Sequence, residues 1–290
     1  MDNNETIKTE RPCERVEILK VPVDIVARED LPRIVFELLE KKTGQDIVLL
    51  SLWDLLRARR TGEFRNYLKN AALIIPISKS IVSGIRFLTG KTAARYMPFD
   101  FIVNILTILE SRELSIYLLG GKPSSLVLAE KNIHETFPKL RIVGRFPGII
   151  KKQTEETLLK VIRKSAPSLL LIGQGVSGRE RWVAKNTLRL NSGLRLWCSD
   201  IYDVFAKRRR RPSRAVFDRG LEWIGFCFQN PVRFFRVFPY IRYIFLILFY
   251  KIFKKNGSGA IDAEQNLPSG QNLSSGQSSS AIGQNPPAGN

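Results

Sequence analysis

Between residues 46 and 200 short apolar runs alternate with amphipathic stretches of about a dozen residues, and few architectures accommodate that pattern. The runs are DIVLLSL (46–52), ALIIPIS (72–78), LSIYLLGG (114–121), RIVGRFPG (141–148), SLLLIGQG (168–175) and LRLWCSD (194–200). Helical patterns separate them: one running through Leu68, one around FDFIVNILTILES, and others at 124–136, 154–165 and 178–191. A strand that is apolar throughout needs cover on both faces, and crossover helices supply it. The pattern therefore predicts an α/β fold, a mostly parallel sheet with helices on both faces. Ahead of it, VEILKVPVDIV is extended, and DLPRIVFELLEKKTG is a helix with Asp30 as N-cap and Gly44 just past its end. The stretch after Ser78 has no defined reading. This domain is placed at residues 14–205, behind a flexible lead-in of residues 1–13.

Charge decides what lies beyond the sheet. The formal net charge is +19, and residues 206–255 hold 13 Lys/Arg against Asp218 and Glu222. Such an excess calls for an anionic partner. The same segment reads GLEWIGFCFQNPVRFFRVFPYIRYIFLILFYKIFKK, whose longest unbroken apolar run, YIFLILFY, is far short of the roughly 20 residues of a membrane span. Aromatic residues interleaved with arginines suit a helical appendage lying in a membrane interface. There Arg210, Arg211, Arg214, Arg233, Arg236 and Arg242 would meet anionic headgroups, and rings such as Phe234 and Phe235 would enter the headgroup zone. A helix docked on the domain or in a dimer is the alternative. Residues 256–290, rich in Gly, Ser, Gln, Asn and Pro, are expected to be a disordered tail.

Other chemistries recede. No nucleic-acid-binding motif accompanies the charge, so no nucleic acid is expected. The one histidine, His134, lies in a helical pattern, which leaves no Ser-His-Asp relay and no His-ligated metal. Cys13, Cys198 and Cys227 are too scattered for a disulfide framework or a zinc site and favour a reducing compartment. The polar N-terminal stretch has no apolar signal region, so the expected location is peripheral, on the cytoplasmic face of the cytoplasmic membrane. No metal and no cofactor are expected.

Two loops have the composition for phosphate chemistry. In YLLGGKPSSLVLAE a strand passes through Gly120, Gly121, Lys122 and Ser124 into a helix, a setting that lets backbone approach an anion beside a full positive charge. It is not a P-loop, because GxxxxGK[ST] is absent. In LLLIGQGVSGRERW, Gly173 and Gly175 lie at another strand end. With Gly178 they match GxGxxG, and Asp200 ends the next strand, so a dinucleotide site is a rival reading; yet this unit is the last of the sheet, where the fingerprint usually occupies the first. Glu180 either complements the helix dipole or acts as a carboxylate that positions a sugar hydroxyl or assists proton transfer.

The chain resembles the bacterial glycosyltransferase family labelled WecG/TagA/CpsF. The likeness runs from about Val21 to Tyr250 and is clearest in LLGGKP, FPKLRIVGRFPG, PSLLLIGQG followed by Glu180 and Trp182, GLEW, and NPVRFFR. It implies a Rossmann-like fold with the C-terminal appendage at the membrane. It also implies transfer of an N-acetylmannosamine-like sugar from a nucleotide diphosphate donor to a polyprenyl-diphosphate-linked acceptor in cell-surface polysaccharide synthesis. Homo-oligomerisation is left open.

Departures from the family pattern cluster where its active site is expected. Ser51, Leu52 and Trp53 replace a T-P-N strand end, and Ile77 or Ser78 occupies the place of the family's proposed catalytic aspartate. RYMPFD keeps Arg95 and Asp100 with Pro98 for a glycine, only Glu180 survives of P-k-Q-E, and YDVFAK keeps Asp203 and Ala206. Pro212 stands one residue further from GLEW than is usual. The resemblance thus leaves Asp100, Glu180 and Asp203, with Ser51, as the catalytic candidates. A transferase with a reassigned base and a catalytically impaired paralogue that binds lipid-linked glycan or a partner both remain open.

Overall fold

The computed structural model describes residues 12–41, 43–176, 180–190, 193–211, 213–220 and 237–264. By compactness the chain divides into Met1–Tyr250 and Lys251–Asn290, and the first unit contains the whole sheet. Its strands begin with an antiparallel hairpin of β1 (Glu14–Ile18) and β2 (Val21–Ile25). The main sheet is built from β3 (Gln45–Leu50), β4 (Leu73–Pro76), β5 (Ser115–Leu119), β6 (Arg141–Phe146), β7 (Leu169–Ile172) and β8 (Leu194–Trp197), in the spatial order β4-β3-β8-β7-β5-β6. Every pairing within it is parallel, as the runs of apolar residues require.

Successive residues of each strand face opposite sides and meet different helices. On one side Ile47, Leu49, Ile75, Leu118 and Leu171 pack with α1 (Leu31–Leu39), α5 (Pro98–Glu110), α6 (Pro123–Thr136) and α9 (Ile201–Phe205). On the other side Val48, Leu50 and Ile74 meet the hairpin, α2 (Leu52–Arg60), α3 (Gly62–Asn70) and α4 (Lys79–Thr89). Further along that side Tyr117, Leu119 and Ile172 meet α7 (Lys152–Ser165) and α8 (Glu180–Asn186). The undefined stretch after Ser78 is thus a helix, and the single helical reading through Leu68 is two, broken at Thr61. Asp30 stands at the N-cap of α1 without a side-chain cap bond, and the helix ends at Leu39, short of Gly44.

Past α9 come α10 (Arg214–Arg219) and α11 (Val237–Glu264). Within the first unit α11 docks on the domain: Tyr243 and Ile247 are buried among Ile81, Ile85 and their neighbours, and the Tyr243 hydroxyl donates to the Ser80 carbonyl at 3.0 Å. Gly84 makes the approach possible, because a Cβ there would clash with the Tyr243 hydroxyl. On the opposite face Phe238, Ile241, Ile244, Phe245, Leu248 and Phe249 are exposed. Among the described residues no helix is long and apolar enough to cross a membrane. Residues 233–236, which include Arg233, Phe234, Phe235 and Arg236, lie outside the described residues, as do 1–11 and 265–290.

One polar contact ties the middle of the sheet. Asp46 and Arg195 are register partners on β3 and β8, both buried, joined through Nε–Oδ1 at 2.6 Å and Nη2–Oδ2 at 3.1 Å. Arg195 also donates to the Thr187 and Gly44 carbonyls, so the guanidinium is well satisfied. Burial raises the Asp46 pKa, and the opposing effect of Arg195 does not cancel it. Arg195→Met would leave that carboxylate buried and unpaired, and should lower unfolding free energy by about 3–5 kcal/mol. Adding Asp46→Leu should recover most of the loss. Urea denaturation of the two variants checks both statements, and a single variant as stable as the parent would contradict them.

Candidate functional site

The carboxyl ends of the six strands gather the loops that the sequence singled out. At the end of β5 the backbone turns through Gly120 (φ 108°) and Gly121 (φ 75°), conformations reserved for glycine. Their amides are engaged by neighbouring loops: Gly120 N–H donates to the Phe146 carbonyl at 2.8 Å and Gly121 N–H to the Gln174 carbonyl at 2.6 Å. Gly148 N–H donates back to the Gly121 carbonyl, Gly173 N–H to Leu119, and Gln174 N–H to Ser199. Four strand ends are thereby stitched together. Beneath them lies Tyr202, fully buried, its hydroxyl donating to the Leu171 carbonyl at 2.6 Å. A Cβ on Gly121 would come within 2.8 Å of that ring, and one on Gly173 would collide with it.

The glycines therefore build a platform, and the polar groups around it carry the charge. Lys122 is exposed at the N-cap of α6, with Pro123 opening the helix. The Arg208 guanidinium reaches the same point, donating to Ser124 Oγ at 2.7 Å and to the buried Ser125 Oγ at 3.2 Å. Arg208, two hydroxyls and a helix N-terminus meet there, with Lys122 at the N-cap position, the usual ingredients of a phosphate site. Arg208 was read from the sequence only as part of a basic run. Its position follows from Asp203, whose backbone carbonyl accepts from the amides of Arg208 and Arg209.

That basic run lies along the strand ends. Arg209 pairs with Asp200 at 2.6 Å, while Arg211 and Arg214 approach Asp100 at 3.5 and 3.6 Å. Arg211 also covers the Phe99 ring, and Arg210 is exposed. Asp100, in the first turn of α5, lines a small cavity of about 150 Å³ with Arg28, Tyr96, Asn104, Phe217 and Asp218. Burial raises the Tyr96 hydroxyl to about 12 despite the nearby Arg28 charge, so it is protonated at neutral pH.

The other candidates are placed separately. Ser51 caps α2: its Oγ accepts from Asp54 N–H at 3.2 Å and donates to Asp54 Oδ2, a capping box. Ser78 Oγ accepts from Leu52 N–H, and Ile77 offers its carbonyl to Arg95 Nε at 2.9 Å. Arg95 stacks on Phe217, which lines the Asp100 cavity. Asp203 accepts from Gln174 Nε2 at 2.6 Å, at the edge of the glycine platform. Gly175, in a positive-φ turn, packs against Gly148. Glu180 opens α8, while Ser177, Gly178 and Arg179 lie outside the described residues. Cys198, free and half-buried, has its thiol pushed up to about 12 by desolvation and by Asp200, which makes it unreactive.

The model of the glycosyl transferase WecG/TagA/CpsF family matches residues 16–257, so the chain belongs to that family. An N-acetylglucosaminyldiphosphoundecaprenol N-acetyl-beta-D-mannosaminyltransferase from Bacillus spizizenii is 20% identical over 210 residues, covering 72% of this chain and 81% of that protein.

If the α6 terminus receives a diphosphate, Lys122→Ala and Arg208→Ala should each weaken binding of a nucleoside diphosphate sugar roughly tenfold. The same changes should leave the melting temperature nearly untouched. Isothermal titration with the donor measures the effect, and an unchanged Kd for both variants would remove this terminus from the site.

Proposed function

We propose that the chain transfers an N-acetylmannosamine-like sugar from a nucleoside diphosphate to a polyprenyl-diphosphate-linked acceptor at the cytoplasmic face of a membrane, in cell-surface polysaccharide synthesis. Membership in a glycosyltransferase family supports the reaction class, and the Bacillus relative's name supplies the sugar and the acceptor. Among the geometric observations, the seating of the Arg208 guanidinium on Ser124 and Ser125 at the start of α6, next to Lys122 at the N-cap, carries the reading. It provides positive charge where a diphosphate leaving group would gather negative charge.

In this reading an acceptor hydroxyl oxygen attacks the anomeric carbon of the donor sugar. The bond from that carbon to the diphosphate oxygen breaks, and the hydroxyl proton passes to a carboxylate. Lys122 and Arg208 then meet the charge left on the diphosphate. Asp100 is the favoured base. It lines an open cavity bordered by Phe217, and Phe217 is joined through Arg95 to Ile77 at the end of β4. Asp203 is already bonded by Gln174 and serves better to hold the platform. Ser51, bound into its capping box, serves α2.

The exposed apolar side of α11 supports the membrane part of this reading. Its inner side is seated on the domain by Tyr243 and Ile247, while an aliphatic and aromatic stripe is left outside. Embedding that stripe in a lipid interface would bury apolar area at about 25 cal/mol per Å². Lys207 to Arg214 and Arg242 add attraction to anionic lipid that weakens with salt.

A second reading keeps fold and membrane docking but not turnover. It draws on the pairing of Asp100 with Arg211 and Arg214, and on Ile77 and Ser78 where the family's acid is expected. Incubation of the full chain with a panel of labelled nucleoside diphosphate sugars and a polyprenyl-diphosphate-linked N-acetylglucosamine acceptor separates the two. The transferase reading expects product with at least one donor, and a fall of about 100- to 10,000-fold in kcat for Asp100→Asn. Donor binding without product for every sugar would establish the second reading.

A further inference from the structure

A cluster of cations away from the strand ends has no part in the reaction above. Arg59, in the last turn of α2, has its Nη1 shut away from solvent with no hydrogen-bond partner. Arg65 of α3 lies against the same turn, its Nε donating to the Ala58 carbonyl at 3.1 Å and its Nη2 to the Arg59 carbonyl at 2.7 Å. Arg242, one residue before the seated Tyr243 of α11, is close enough for its charge to act on Arg59. Burial, then the charge of Arg242, then that of Arg65 lower the Arg59 pKa, and no carboxylate is among the causes. Nearby Arg57 differs: it has Asp54 at 3.3 Å and the Phe64 ring beneath it. Like charges repel, and an anion that accepts from all three guanidinium groups would relieve the repulsion.

The position of Arg242 says which anion. On a helix, residues four before, three after and seven after a given position share its face. For Arg242 these are Phe238, Phe245 and Phe249, all exposed. The guanidinium therefore stands within the aromatic stripe, at the depth where lipid phosphates lie if that stripe enters an interface. We propose that Arg59, Arg65 and Arg242 form a binding site for the headgroup phosphate of an anionic lipid. The site rests on the membrane-surface reading of α11 and adds to it a defined phosphate contact on the body of the domain.

The test uses full-length protein sedimented with vesicles of phosphatidylcholine alone or mixed with phosphatidylglycerol. Arg59→Gln and Arg242→Gln should each weaken binding to the mixed vesicles about fivefold, the loss of one basic residue at the surface. Arg60→Gln, which removes the same charge from the exposed neighbouring position, should weaken it less than twofold. The double variant Arg59→Gln/Arg242→Gln should lose less than the product of the two single effects, because both groups hold one anion. Equal effects of Arg59→Gln and Arg60→Gln would overturn the phosphate site and leave the surface reading standing. Wild-type protein that sediments with neither vesicle would overturn both. If inorganic phosphate raises the wild-type Tm but not that of Arg59→Gln, while vesicle binding ignores Arg59, the lipid is refuted as the source. Should Arg59→Gln fail to fold, Arg242→Gln, exposed on its helix, decides the matter by its phosphate response: a rise in Tm with inorganic phosphate equal to that of the wild type would overturn the site.

Discussion

The site depends on the backbone stitching of four strand ends over the ring of Tyr202. Gly121 donates to Gln174 and accepts from Gly148, and Gly173 closes on Leu119, so no one of these loops can move alone. Glycine is needed because the loops touch one another and the ring, leaving no room for a Cβ. This arrangement uses up amides that an open phosphate cradle would present. What it provides instead is a rigid base for α6, whose N-terminus then meets Arg208.

The basic excess of the chain serves two surfaces. Arg208, Arg209, Arg211 and Arg214 are drawn over the strand ends by Ser124, Asp200 and Asp100. Arg242, whose charge acts on Arg59, is exposed on α11. A helix seated on the domain through Tyr243 and Ile247 yet apolar on its far side differs from a loosely tethered anchor. In the proposed reading it would fix the domain's height and tilt at a lipid surface, and so the distance from the strand ends to an acceptor in the bilayer.

Much of this was legible in the sequence, and the failures have physical causes. Apolar runs gave all six main strands and their parallel sense, since only crossover helices can cover both faces. The hairpin was read as one extended segment because its turn residues, Leu19 (φ 53°) and Lys20 (φ 66°), carry no turn signature. Helix α4 was missed because Gly84 interrupts its pattern; that glycine seats Tyr243, a long-range need no local pattern reveals. Ser51 drew notice as a strand-end hydroxyl, but the spacing to Asp54 is the better signal, that of a helix cap. Arg208 had no local signal at all, since its partners Ser124 and Ser125 are distant in sequence. Of the two readings that the aromatic segment allowed, α11 shows the docked helix, through Tyr243 and Ile247, with its far face exposed.

The central claim is that a donor diphosphate is held at the N-terminus of α6 by the platform and the basic run together. Hydrogen–deuterium exchange on the full chain, with and without a saturating nucleoside diphosphate sugar, tests it directly. The account expects new protection at residues 122–126 and 207–211, with little change at the already bonded amides of Gly120, Gly121 and Gly173. Protection confined to another part of the chain, or none at these two segments while the donor is shown to bind, would contradict it.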